Sequence, residues 1–144
     1  MNSHRLFAAQ QEGHDLTSLE LEAFDTAEAS HRRPLCSSIR AGNTVYVSGC
    51  LGRPDGEQRV VEGGVAAEAR QALHHMRASL EVAGSSVGQV AKCLVFLTDM
   101  ADFDAMNEVY GEVFGTHRPA RTVVAVAELA FSAKFEIECV ALTD

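Results

Sequence analysis

The chain lacks any apolar run approaching the roughly 20 residues of a membrane-spanning helix, which excludes a helical membrane anchor. Positive charge is scarce: 12 lysines and arginines face 20 acidic residues, for a net charge of −8. Nucleic acid and anionic membranes are bound through basic surface, so this balance argues against both as partners. A small anion held by one well-placed arginine remains compatible with it. The four cysteines, Cys36, Cys50, Cys93 and Cys139, form neither a Cys-x-x-Cys pair nor a zinc spacing. They read as buried reduced thiols, which fits a reducing, cytoplasmic setting. There is no phosphate loop, dinucleotide fingerprint or metal cluster, so neither cofactor nor metal is expected. Ser48 lacks the Gly-x-Ser-x-Gly setting of a triad nucleophile, and no histidine stands out as its base.

At 144 residues, one domain with a real core is expected. Residues 1–30 are acidic and polar, without an apolar signal core or the acid-poor composition of a transit peptide. They read as an N-terminal extension, either a loose arm or a short docked helix. For the helix, Thr17 to Glu20 offers a capping box, and Leu21, Phe24 and Ala27 a narrow apolar stripe. The domain proper is placed at 31–144.

Within it, 39–41 and 44–48 read as strands joined at Gly42-Asn43, a hairpin turn dipeptide. Val60-Val61 reads as a short third strand. Val65, Ala69, Ala72, Leu73, Met76, Leu80 and Ala83 recur at helical steps on one face, with Gly84 placed to end the helix. The apolar run 90–98 suits a central strand covered on both faces. Asp102 is placed to cap a second helix, 103–114, whose stripe is Phe103, Met106, Tyr110 and Phe114. Asn107 falls inside that stripe. There it either bonds neighbouring backbone or serves a site at the helix–strand border. Residues 122–126 and 135–142 read as the arms of a hairpin. The pattern implies an α+β fold, a mixed six-stranded sheet with two helices packed on one face. Along 135–142 one parity carries Phe135, Ile137, Cys139 and Ala141, and the other Glu136, Glu138, Val140 and Leu142. The half-apolar second face is expected to be covered in a homo-oligomer.

Two charges sit oddly among these strands. Arg121 leads one, and a guanidinium offers a carboxylate a planar two-pronged fit that lysine does not. Glu136 lies inside another and would serve as a general base on water. The bland alternatives are a surface salt bridge for Arg121 and a solvated strand residue for Glu136. With Glu136 set opposite Ala125 in a hairpin, four residues along from Arg121, roughly 13 Å separates the two. One small molecule would then meet both only if they came from different subunits.

Gly42-Asn43, Val47-Ser48-Gly49, Asn107 with Tyr110, Pro119-Ala120-Arg121 and Phe135-Glu136-Ile137-Glu138 together resemble the Rid family, the YjgF/RidA reactive-intermediate (enamine/imine) deaminases. The resemblance implies a chorismate-mutase-like fold and a homotrimer with clefts between subunits. It also implies cofactor-free hydrolysis of 2-imino acids to 2-keto acids and ammonia. By position, Arg121 would clamp the substrate carboxylate and Glu136 would position water. Ser48 and Asn107 would line the cleft, and the backbone of Gly49 and Val123 would bond to substrate. Two positions depart from the family pattern: Leu35 replaces an early tyrosine, and Cys50 a frequent glutamine, placing a thiol near the cleft. Leu35 keeps open a non-catalytic small-carboxylate-binding, chaperone-like or translation-inhibiting (ribonuclease) role.

Overall fold

A computed structural model describes residues 20–27 and 33–144 in full and 4–6 as backbone. Its elements are β1 (His4–Leu6), β2 (Leu21–Phe24), β3 (Ser38–Ala41), β4 (Thr44–Leu51), α1 (Gly64–Val82), β5 (Val90–Leu97), α2 (Phe103–Phe114), β6 (Ala120–Ala125) and β7 (Phe135–Leu142). They build one seven-stranded sheet in the order β1-β2-β3-β4-β7-β5-β6. Only β5 and β6 pair in parallel, so the sheet is mixed. Helices α1 and α2 pack on each other and on one face, α1 lying over β4 and β7. The α+β expectation of a mixed sheet with two helices on one face is met.

The core forms where the helix stripes meet the inward parity of the strands. Val65, Ala69, Ala72, Leu73, Met76 and Leu80 of α1 are buried against Phe135, Ile137, Cys139 and Ala141 of β7. Gly84 ends α1 as the sequence predicts: its φ is 81°, its amide donates to Glu81 O, and the Ser85 amide donates to Leu80 O. Those two bonds are a Schellman closure, and they satisfy carbonyls the helix end leaves open. All four cysteines are free, and three are buried. No helix among the described residues is long and apolar enough to cross a membrane.

Three expectations are corrected. Val60-Val61 is not a strand. Counting from Leu21 there are six strands, and Leu21–Phe24 takes the place assigned to Val60-Val61. It is extended, not helical, and pairs antiparallel with β3 from Leu21↔Ala41 to Phe24↔Ser38. Cross-strand contacts hold it there: Arg40 pairs with Glu22 and lies 5.2 Å from the centre of the Phe24 ring. Part of the 1–30 segment is thus built into the sheet; most of the predicted capping box lies outside the described residues.

The third correction concerns the hairpin, which does not form. β6 pairs only with β5, and β7 lies between β4 and β5. The reason is β5, which pairs with β7 on one edge and β6 on the other and so stands between the two arms. It is buried at Val90, Cys93, Val95 and Leu97 but has Ala91 and Lys92 exposed, so the expected cover on both faces is not met within this chain. The connection 126–134 is also longer than the two to five residues of a tight hairpin loop.

Past β4 the chain turns against α1 so closely that only glycine fits at position 52. A Cβ there would overlap the backbone of Glu68. Gly52→Ala is therefore expected to destabilise the fold by about 1–3 kcal/mol. Urea unfolding should show a lower midpoint at unchanged slope, and an unchanged midpoint would contradict this close packing.

Candidate active site

Arg121 lies on β6 level with Cys93 of β5, which is level with Cys139 of β7. Both cysteines are buried on the helix side, so Arg121 projects to that side, at the open edge of the sheet. There α2 presents Phe103, Asn107 and Tyr110, residues spaced i, i+4 and i+7 on one helical face. Arg121 Nη1 donates to Asn107 Oδ1 at 2.7 Å. The guanidinium carbon stands 4.5 Å from the centre of the Tyr110 ring and 5.7 Å from that of Phe103. Cation–π contact and one neutral hydrogen bond orient the fork and leave its charge uncancelled. Among the described residues no carboxylate pairs with it.

Asn107 was expected on the buried face; it is exposed, and its partner is the Arg121 side chain instead of neighbouring backbone. Its place in the stripe is real, but the stripe overhangs the sheet edge at that turn. Tyr110 packs 4.4 Å from Phe114, centre to centre, and its buried hydroxyl has no nitrogen or oxygen partner among the described residues, only the neighbouring Cys93 thiol. Burial first, then the neighbouring Cys93 thiol, raises its pKa. Val123 sits two residues beyond Arg121 on the same edge strand, whose outer side has no neighbouring strand among the described residues.

Glu136 occupies the opposite face. It is level with Leu51 on one side and with Phe96 on the other, and Phe96 is level with Val124. The β4 register breaks between Val47 and Cys50, leaving Ser48 and Gly49 in a bulge. The Glu136 carboxylate lies against Gly49 so closely that a Cβ there would overlap Oε1 and stand 3.1 Å from Cδ. The carboxylate has no hydrogen-bond or ion-pair partner among the described residues. Burial among apolar neighbours, then the like charge of Glu138, raises its pKa above the usual carboxylate range. Ser48 Oγ donates to Cys36 O at 2.7 Å, leaving the hydroxyl lone pairs free. Cys50 is buried and its Sγ donates to Ser48 O at 3.3 Å. Burial, then Glu136, pushes that thiol up to about 12, so it is a packing group with little thiolate.

Ser48 and Gly49 line a cavity of about 140 Å³ together with Leu35, Cys36, Arg53 and Phe131. That is about ten times the ~10–15 Å³ that admits a single water, room for a small metabolite. Arg121, Asn107 and Val123 are not on it, and Glu136 adjoins it only through Gly49, against which its carboxylate lies. One chain thus splits the candidate residues into two groups. From Arg121 to Glu136 runs two strand spacings and three residues, or about 14 Å, with the side chains on opposite faces. The predicted opposition of Glu136 to Ala125 is corrected to Val124, one strand further away. The rings of Phe103 and Tyr110 beneath Arg121 were legible only as stripe residues; their i, i+4, i+7 spacing around Asn107 was the available signal. No sequence signal marked Arg53 and Phe131.

Residues 26–143 match the family Endoribonuclease L-PSP. The chain is 46% identical over 110 residues to "RutC family protein UK114" of Drosophila melanogaster, covering 76% of this chain and 80% of that one. It is 37% identical over 128 residues to the "2-iminobutanoate/2-iminopropanoate deaminase" of Homo sapiens, covering 88% and 93% respectively. The crystal structure of the YjgF gene product of E. coli superposes with a TM-score of 0.78 at 34% identity, over 85% of this chain and 98% of that one.

The raised pKa of Glu136 has a consequence for stability. The folded chain holds this proton to higher pH than the unfolded chain does. Stability from the group is fully present below the unfolded value and is lost as pH rises through the folded one. Glu136→Gln is expected to raise the urea midpoint at neutral pH, with the gain shrinking towards about pH 4. An equal difference at both pH values would contradict the assignment.

Proposed function

Because the chain belongs to the Endoribonuclease L-PSP family, the YjgF/RidA group, we propose that it hydrolyses reactive 2-imino acids, and their enamine tautomers, to 2-keto acids and ammonia without a cofactor. The observation that carries this reading is a pair of charges with no counter-charge among the described residues: the guanidinium of Arg121, oriented by Asn107 and aromatic rings, and the carboxylate of Glu136, desolvated against a bare glycine. The reaction needs those two tasks done. Arg121 grips the planar carboxylate by two parallel hydrogen bonds and draws electron density from the adjacent C=N carbon. Glu136, once ionised, takes a proton from water as its oxygen adds to that carbon. The same proton then passes to the nitrogen, completing the tetrahedral carbinolamine. Glu136 next carries the hydroxyl proton to that nitrogen, the C–N bond breaks, ammonia leaves, and the oxygen becomes the keto oxygen. Ser48 and Asn107 line the cleft, and backbone groups of Gly49 and Val123 bond to the substrate.

Each site is shared in a homotrimer: Arg121, Asn107 and Val123 come from one subunit, and Ser48, Gly49 and Glu136 from its neighbour. The separation of the two groups on opposite sheet faces supports this arrangement. So does the face opposite the helices, where Tyr46 and Leu142 are each about half exposed. The free thiols fit a cytoplasmic location. A second reading, small-carboxylate binding without turnover, rests on Leu35, which is 56% exposed at the cavity and offers no hydroxyl. The net charge of −8 disfavours the ribonuclease reading suggested by the family's description.

The test is to generate 2-iminopropanoate or 2-iminobutanoate in place and follow keto-acid release. Arg121→Ala is expected to lower kcat/KM about 100-fold, the worth of a charge-assisted fork. Trimers assembled from equal amounts of Arg121→Ala and Glu136→Gln subunits should regain about one quarter of wild-type activity, since one subunit pairing in four carries both native groups. No recovery above either parent would sink the shared site. Gly49→Ala should cut the rate at least about tenfold by displacing the carboxylate, yet shift stability by under about 1 kcal/mol because the displaced group is a flexible chain end. Loss of the fold in that variant would show the contact to be structural.

A further inference from the structure

We propose that Arg53, stacked on Phe131, makes this site select 2-imino acids that carry a second carboxylate on their side chain. This deepens the hydrolase reading and rests on it. The cavity lined by Ser48 and Gly49 is also lined by Arg53, Arg33 and Phe131. Two guanidinium groups on one small cavity are a local exception in a chain of net charge −8. Neither is neutralised: among the described residues no carboxylate pairs with Arg53 or Arg33. Two carboxylates, Asp25 and Asp55, also line the cavity, and neither pairs with a guanidinium. Asp25 Oδ1 accepts from the Ser37 amide at 3.1 Å, and Asp55 Oδ1 stands 3.8 Å from His75 Nε2.

Arg53 is nonetheless held in place. Nη1 donates to Glu57 O at 3.0 Å, and the guanidinium carbon lies 4.7 Å from the centre of the Phe131 ring. That leaves most of its donors free in a fixed plane. Burial, then the neighbouring charge of Arg33, disfavours its charged form, a cost that an incoming anion relieves. Phe131 reaches this position through a left-handed backbone, φ 59°, followed by Ser132 at φ 54°. A bulky residue rarely adopts that conformation, and two in succession mark a turn held for a purpose. Here the turn lifts a ring over a guanidinium beside the cavity. A substrate with its first carboxylate on Arg121 and its C=N carbon at Glu136 would extend its side chain past Gly49 towards Arg53. The reaction is unchanged: water adds, ammonia leaves, and a 2-keto dicarboxylate forms.

The imines of glutamate and of norvaline, generated in place by an amino-acid oxidase, differ at the side-chain end by a carboxylate against a methyl. Wild type is expected to favour the glutamate imine at least tenfold in kcat/KM. Arg53→Met should bring the ratio near one, and Arg53→Lys should keep part of it. Parity or the opposite preference in wild type, or an unchanged ratio in Arg53→Met, overturns the proposal. Calorimetry with 2-oxoglutarate and 2-oxopentanoate reads the same selectivity without turnover. If neither imine is hydrolysed but 2-oxoglutarate binds tighter and loses that advantage in Arg53→Met, the hydrolase reading falls and dicarboxylate recognition stands. Equal affinity for both keto acids in wild type overturns the selectivity whichever imine turns over.

Discussion

A single row of side chains crosses the sheet on its helix side: Ser38, Val47, Cys139, Cys93 and, at the open edge, Arg121. The first four are buried and uncharged, so the row is core until its last member. A guanidinium at the end of such a row cannot turn inward without losing its hydration. It leaves the core at the edge, where Asn107 and Tyr110 of α2 receive it. The placement of the charge follows from the order of strands, and that order follows from β5. Buried on its helix side as fully as β7, β5 takes β7 on one edge and β6 on the other.

A second row, on the far face, runs Leu51, Glu136, Phe96 and Val124. Here the charge sits in mid-sheet among apolar neighbours, and desolvation is what raises its pKa. The bulge at Ser48-Gly49 gives the carboxylate somewhere to lie, because glycine removes the side chain that would occupy that space. The two rows place a cation and an acid of opposite character on opposite faces. Each face of the sheet therefore carries one charge that has no counter-charge among the described residues.

The helices were readable because burial on one face of a helix leaves a period that survives in the sequence, as Val65 to Leu80 shows, and because Gly84 has one conformational use at a helix end. The parity of β7 was readable for the same reason: alternation records which residues face the core. The burial expected of Asn107 was not met because periodicity reports direction around a helix, not whether anything lies opposite. The turn of α2 that carries it passes the edge of the sheet. Leu21 and Phe24 fit a helical spacing and a strand equally over so short a stretch; pairing with β3 and the Arg40–Glu22 contact settled the matter.

What the amino-acid order determined by itself was local and periodic: the two long helices and the longer strands, which face of each is apolar, and which polar residues sit at odds with that pattern. Arg121, Glu136 and Asn107 stand out on those grounds, whereas Ser48, Gly49 and Val123 were singled out only by the resemblance to the Rid family. Strand neighbours were decided only in three dimensions, because pairing depends on which edges remain unfilled once β5 is buried, and no local pattern encodes that. The same holds for Arg53 and Phe131. Their stacking joins the end of β4 to the turn before β7, and only the folded chain brings those two loops to one cavity.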